Sequence, residues 1–535
     1  MCLGKEFSSS GFLHSSLFML LENLICSNFK VKNASDGVLH IMAATLDYPT
    51  VGHLVLANSD YVIDSICRQL RHLDLNPHMP NVLAAMLSYI GVAHKILPLL
   101  QEPMRTVSLE LEILGRHQHP DLTIPFLKAV AEIGKASKYE AGTLPSQAEA
   151  FYKDIESNIL DIEKKKGNDF YTSRSSIEVD ATVDFPEPVI GICSNQSNGQ
   201  IQQWESVLFK LNDSTRYRRT IGSIANSCLT AATPLIASSK QAACLIALDV
   251  IEDAIVTLAK VEDAYKHEKK TKEALYQIFD LYSLHNLRDT LDAAEDEASE
   301  NRLLPAMNKI WPFLIACVRN KNPVAVRRCS HTISNVVQIC GGDFFSRRFH
   351  TDGIYFWKLL SSSPYQSKRI SKEDRTPLQL PYRNTSTSSE GSVAEISDLK
   401  VQAAVLDMIG DIAKSKRSAS ALEAVLKKVS GLVLGIACSG VIGLREAATN
   451  ALVGLASIDP DLLWLLVADI YLSAKKKDVL APPSNEFPEV SQILPPPSSS
   501  KGYLYVQYGG QSYGFDIDFS AVELVFELLN AQNCT

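Results

Sequence analysis

The side chains best suited to chemistry lie in two histidine-bearing stretches: His117, His119 and Asp121 in RHQHPD, and His72, Asp74 and His78 in RHLDLNPH. Imidazoles beside a carboxylate are ligands of the kind zinc takes, but a structural site draws further donors from a second His or Cys pair. The first stretch has none nearby. It also falls at an expected helix end, where capping or solvation accounts for both imidazoles. The second forms no better constellation. Eleven cysteines are scattered without a CxxC pair. Cys228, Cys244, Cys317 and Cys340 sit inside apolar helical patterns and read as buried free thiols in a reducing compartment. The chain lacks a GxxxxGK[ST] loop, a GxGxxG after a strand, HExxH and GxSxG. No catalytic, cofactor-binding or metal residue is assigned, no cofactor is expected, and the chain is read as non-enzymatic.

Charge gives no stronger lead. The 535 residues carry a formal net charge of −8, which exerts no global pull on nucleic acid or an anionic membrane. Lys260–Tyr282 mixes acidic and basic residues as a charged helix face does. Asp292–Asn301, DAAEDEASEN, is acidic and reads as a solvated connector. Lys475–Lys477 is too short for a nucleic-acid patch. The longest uncharged run, Val429–Leu444, holds Gly431 and Gly435 in GxxxG spacing. It is shorter than the roughly 20 residues that cross a bilayer, so it reads as a buried helix in close contact with another helix. The N-terminal stretch, interrupted by Glu22 and Asn23, reads as part of a helix and not as a signal peptide.

The elements that must position these residues are helices. Apolar residues make up 46% and aromatics only 8%, with Leu, Ala, Ile and Val carrying the load, a balance suited to helix-on-helix packing. Short breaks at NPHMP, LPLLQEP and HQHPD punctuate the first third, with Pro125 expected to open a helix. A polar residue followed by small or apolar residues three, six, seven and ten positions on recurs from Gln241, Arg327, Gln402 and Arg445. From Arg445 these are Ala448, Ala451, Leu452 and Leu455. From Arg327 the match is looser: Ser330, Ile333, Ser334 and Val337. Such spacing makes one helix face small at one edge and branched at the other. Recurrence over several tens of residues is the mark of a helical-repeat array. In Leu303–Ile333, Pro305 begins one helix, Trp311 sits on its apolar stripe, and NKNP makes a turn before Pro323 and Arg327 open the next.

The fold expected is all-α, a HEAT/armadillo-type helical-repeat solenoid with long disordered loops. The boundaries expected are N-terminal repeats over 1–166, a linker over 167–199 and central repeats over 200–360. A Ser/Pro-rich disordered loop is expected over 361–397, C-terminal repeats over 398–477 and a Pro-rich extended loop over 478–502. Over 503–535 the expectation is a short hairpin around Gly509 and Gly510 and a last helix.

Four blocks resemble a known family. They are DYVIDSICRQLRHLDLNPHMPNVLAAML (Asp60–Leu87), LLPAMNKIWPFLIACVRNKNPVAVRRC with GGDFFSRRF (Leu303–Phe349), SDLKVQAAVLDMIGDI (Ser397–Ile412) and REAATNALVGLASIDPDLLWLLVADIY (Arg445–Tyr471). In this order they resemble the C-terminal half of the Tel-two-interacting protein one family, in a plant form. The first block and the WPFL…GDFF…RRF block are the most specific. The family's N-terminal portion has no counterpart, so a partial gene product is expected. The resemblance implies a subunit of the Triple T complex with Tel-two-like and Tti-two-like proteins. It implies support of phosphatidylinositol-3-kinase-related kinases (TOR, ATM, ATR) together with the heat-shock-protein-ninety chaperone and its adaptors. It implies no nucleic-acid or membrane partner, and residence in the cytoplasm with the nucleus as a second compartment. It maps no partner-binding residue. The rival readings are a karyopherin-like transport carrier, also a HEAT array, which binding to a Ran-type GTPase would separate from the first, another helical-repeat protein-binding scaffold, and an enzyme with a hidden site, which a perturbed titratable cluster in a closed pocket would support.

Overall fold

The computed structural model describes residues 11–70, 78–90, 120–174, 194–281, 284–293, 302–320, 322–361, 378–379, 389–475, 481–494, 503–508 and 511–533, with isolated positions between 7 and 107. The chain divides into two compact units: Met1–Ala231 with Asp253–Ala306, and Ala232–Glu252 with Met307–Thr535. Both are built from helices, so the fold is an all-α helical-repeat architecture, with one small sheet near the C-terminus.

The first unit opens with five short helices: α1 (Phe12–Asn23), α2 (Phe29–Thr45), α3 (Val51–Ala57), α4 (Ser59–Leu70) and α5 (Met79–Ile90). Their starts are capped locally. The Asn28 side chain accepts from the Lys30 amide and Thr50 from the His53 amide, which satisfies donors that no earlier turn can reach. Leu13, Leu17 and Leu21 form the buried stripe of α1. Three long helices follow: α6 (Pro120–Arg174), α7 (Ser194–Ala232) and α8 (Gln241–Leu281), whose residues up to Glu252 belong to the second unit, then α9 (His285–Ala293). Ile221, Val261, Ala264, Ala141 and Leu144 fill one core between the long helices, and Ile155, Leu208, Leu211, Ile278 and Phe279 another.

A buried ion pair joins α7 to α8. Arg218 Nε donates to Glu268 Oε2 at 2.8 Å, Thr215 donates to the same oxygen at 3.1 Å, and the guanidinium lies 5.0 Å over the Tyr265 ring. The stretch Ile201–Ala237 is long and apolar enough to cross a membrane, yet its most apolar window is 61% buried within the protein, as a core helix is.

The second unit repeats a two-row packing. It contains α10 (Leu303–Arg319), α11 (Pro323–Cys340), α12 (Gly342–Asp352), α13 (Ile354–Ser361), α14 (Ser389–Lys414), α15 (Ser420–Glu423), α16 (Leu426–Cys438), α17 (Ile442–Ala456) and α18 (Pro460–Ala474). In one row α11 packs on α14 and α14 on α17; in the other α13 packs on α16 and α16 on α18. The turns that open α11 and α18 use one device. Asn322 caps the Val324 and Ala325 amides and Asp459 caps Leu462, each with proline following at the first helical position, where the missing N–H costs nothing.

Glycine lets the rows close up. A Cβ on Gly454 of α17 would sit 2.9 Å from the Gly410 carbonyl oxygen and 3.0 Å from the Ala413 Cβ of α14. The unit ends in α19 (Pro488–Ile493), the antiparallel strands β2 (Tyr503–Tyr508) and β3 (Gln511–Asp516), and α20 (Phe519–Asn533), which pack against α16 and α18.

Several expectations need correction. Pro125 lies inside α6, which starts at Pro120; it removes one i→i−4 bond without ending the helix, and the break falls one proline earlier. The linker expected over 167–199 shrinks from both ends, because α6 runs on to Arg174 and α7 begins at Ser194. Good helix formers such as Glu163 and Lys164–Lys166 carry α6 onward where apolar periodicity has stopped; the rest of that linker lies outside the described residues. The loop over 361–397 contains β1 (Leu378–Gln379), parallel to β3, and the first turns of α14 from Ser389. The remainder of that loop lies outside the described residues. The Pro-rich stretch over 478–502 is not simply extended. A 3-10 turn at Pro483–Asn485 packs on α18, Asp469 Oδ1 accepts from the Ser484 amide at 2.9 Å, and Val490 of α19 is buried. Gly431 receives both the C-terminal hairpin and a short helix, and Gly435 the hairpin: a Cβ on Gly431 would meet Val506 at 2.8 Å and Ile493 of α19 at 3.0 Å, and one on Gly435 the Phe515 ring at 2.6 Å.

Candidate interaction site

The expected repeat positions fall on buried faces. Ala448, Ala451 and Leu452 are 0%, 0% and 1% exposed, and the equivalent positions Cys244, Ala247, Leu248, Ile333 and Ile409 are buried too. They are therefore packing residues. Pro305 is exposed in the first turn of α10, and Pro323 opens α11. Arg327 is half-buried, with its Nε 3.4 Å from the Pro323 carbonyl. Arg445 is exposed at the start of α17.

It is Arg328, not Arg327, that ties neighbouring helices. Its guanidinium lies 2.6 Å from Asp249 and 2.8 Å from Glu252 of α8. Burial pulls the Arg328 pKa down, but the two carboxylates together lift it above its ordinary value. Asn335 donates to Glu252 at 2.8 Å, and Gln338 to the Asp411 carbonyl of α14 at 3.1 Å. Arg328, His331, Asn335 and Gln338 lie on one polar helix face, a spacing visible in the sequence.

His78 pairs with Glu22 of α1 at 2.7 Å. His72, Asp74, His117 and His119 lie outside the described residues, and among the described residues no group of three or more His, Cys, Asp or Glu is placed to hold a metal ion. Cys228, Cys244 and Cys317 are buried thiols, and Cys340 is half-buried. Burial pushes the Cys228 thiol up to about 12, away from the reactive thiolate.

One cleft gathers chemistry that sequence reading did not assign. It has a volume of about 500 Å³ and lies between α10 and α12, walled by Trp311, Pro312 and Phe344 and edged by Arg347, Arg348 and Asp352. The elements position it simply. Asn308, Trp311 and Pro312 share a face of α10, and Phe344, Arg347, Arg348 and Thr351 share a face of α12. Phe345 and Phe349 anchor α12 beneath Trp311, with ring centroids 5.4 and 5.9 Å away. The Trp311 indole donates to Asp352 Oδ2 at 2.8 Å, fixing that carboxylate.

Arg348 is held in place. Its guanidinium lies 3.8 Å from the Phe344 ring centroid, donates to the Phe344 carbonyl at 2.5 Å, and bonds the Asn308 side chain. Burial draws its pKa below the ordinary value, with Asp352 opposing. Arg347 is exposed, and its guanidinium has no partner among the described residues. The cleft is built from WPFL…GDFF…RRF, the block on which the family resemblance is among the most specific. Its residues recur at helical i, i+3, i+4 spacing on two helices, which was the available signal.

Stacked helix pairs with short capped turns define a helical-repeat protein, and the comparisons place it further. Residues 17–108 match the family model described as TELO2-interacting protein 1, and 212–464 match the TTI1 C-terminal TPR domain. The chain belongs to the TELO2-interacting protein 1 family. It is 24% identical over 493 residues to the TELO2-interacting protein 1 homolog of Mus musculus, covering 88% of this chain and 37% of the relative. The Homo sapiens homolog is 22% identical over 483 residues, covering 88% and 38%. The chain thus spans well under half the length of these relatives. Among solved structures, Kap121p bound to Pho4p aligns over 98% of this chain and 50% of its own at 11% identity, with a TM-score of 0.24. A Kap121p triple mutant gives 0.21. Likeness at that level supports no inference about fold or function.

Proposed function

We propose that this chain is a non-enzymatic helical-repeat scaffold that joins a Tel2-type protein in a co-chaperone complex. The observation that carries the reading is the family match over 17–108 and 212–464, which runs through both compact units. The printed name of the relatives, TELO2-interacting protein 1, describes binding to TELO2; we extend that binding to this chain. On the same reading a Tti-two-like protein completes the complex. The assembly works in the cytoplasm and nucleus with adaptors of the heat-shock-protein-ninety chaperone. Its role is to support maturation and stability of phosphatidylinositol-3-kinase-related kinases, and so TOR signalling and the DNA damage response. A scaffold of stacked helices presents side chains from many repeats at once, which suits holding partners more than transforming them.

The test is co-expression with Tel2-type and Tti-two-type partners, followed by size-exclusion chromatography with mass detection. A stoichiometric complex is expected. A well-folded helical chain that elutes alone would overturn the reading.

A further inference from the structure

We propose that the cleft between α10 and α12 docks an acidic segment of a partner protein, in which Asp or Glu residues flank one bulky apolar side chain. The inference rests on the reading of this chain as a scaffold and adds the chemistry of what it holds.

The cleft has two kinds of wall. Trp311, Pro312 and Phe344 offer an apolar wall within about 500 Å³, space for a single large side chain. Along its rim stand Arg347 and Arg348; the exposed Lys309, one position after the lining residue Asn308 on α10, lies beside the lining and not in it. Neither Arg347 nor Lys309 has an ion-pair partner among the described residues. The opposing charges are Asp352, already fixed by the Trp311 indole, and Asp343 in the first turn of α12. In the lining itself, Arg347 and Arg348 against Asp352 leave one net positive charge on a chain whose formal net charge is −8.

Arg348 is prepared for an anion. Stacking on Phe344 and bonds to Asn308 and the Phe344 carbonyl fix the guanidinium plane, so little further ordering is needed to meet a planar carboxylate. Partial burial disfavours its charge, and an incoming carboxylate restores what desolvation removed.

The probe is a short fluorescein-labelled peptide of Glu and Asp around one Phe, titrated by anisotropy at low and physiological salt. Controls replace the acids with Lys, the Phe with Ser, or one acid with phosphoserine. Saturable binding that weakens with salt is expected, lost with Lys and reduced with Ser. Arg347→Glu should weaken it about tenfold or more, as charge reversal at an interface does. Arg347→Lys should recover part of it, and Lys309→Glu should also weaken it. These positions are exposed, so circular dichroism should be unchanged. No binding, indifference to Arg347→Glu, or binding only of the phosphopeptide would overturn the proposal. Co-purification with the Tel2-type partner reads the scaffold function separately. A complex that forms while the peptide fails sinks only the cleft assignment, and peptide binding without a complex sinks only the scaffold reading.

Discussion

Alanine at Gly454 should destabilise the second unit, although the same change at Gly37 should stabilise the first. In both helices alanine restricts the unfolded chain and removes the entropic penalty of glycine, a gain of about 0.5–1 kcal/mol. At Gly37 of α2 a new Cβ meets nothing within 4 Å, so the gain stands. At Gly454 it would lie 2.9 Å from a backbone oxygen and 3.0 Å from a Cβ. Neither atom has a rotamer by which to retreat, and ordinary carbon contacts are about 3.5–4.0 Å. α14 and α17 must then separate by several tenths of an ångström along their contact. Overpacking of this kind costs about 1–3 kcal/mol, which set against the gain leaves a net loss of about 1 kcal/mol at the centre of the two ranges. For a unit of this size that is a fall in Tm of about 2–4 °C. Thermal melting followed by circular dichroism gives the sign. Hydrogen exchange read separately over α2, α14 and α17 assigns it to a unit, since two units need not melt together. A Gly454→Ala protein that melts at or above the wild type, with reduced exchange in α17, would refute the close approach of these helices.

Arg218→Ala should cost about 3–5 kcal/mol in urea unfolding, because the buried Glu268 loses its ion pair with Arg218; a loss below 1 kcal/mol would contradict that burial. Replacing both partners with apolar residues should recover most of the loss. Ala448→Arg should lose roughly 1–3 kcal/mol or more, since Ala448 is 0% exposed, and an unchanged melting temperature would show the face is not buried. Burial first, then the Asp411 and Glu446 carboxylates, raise the Asp407 pKa above its ordinary 3.8. A carboxylate whose folded pKa lies above its unfolded one lends its stability below the unfolded value and loses it as pH rises through the folded one. Asp407→Asn should therefore raise Tm slightly at neutral pH, less at high salt, and change nothing below the ordinary value; a lowered Tm at neutral pH would contradict the clustering.

Much of the fold was legible because it is local. The spacing from Gln241, Arg327, Gln402 and Arg445 picks out faces that are buried, since a helix carries its register with it. Asn322–Pro323 and Asp459–Pro460 announce helix starts for reasons confined to one turn. Element ends were less legible. α6 continues to Arg174 and α14 begins at Ser389 through polar sequence, where apolar periodicity is silent and helix propensity decides. The cleft was half legible. Trp311 and the GDFF…RRF block drew notice, but only packing brings Asn308, Pro312, Arg348 and Asp352 to one place.

The sequence by itself determined that this is a helical-repeat chain of its family, because periodicity, caps and family motifs are properties of neighbouring residues. The tertiary structure decided what those helices touch. It set Gly435 against a hairpin and Gly431 against the hairpin and the short helix α19, gave Arg328 its interhelical ion pairs, and left Arg347 without a partner among the described residues while fixing Arg348 on an aromatic face. Such pairings depend on distances between residues tens of positions apart, which are set by how whole helices pack.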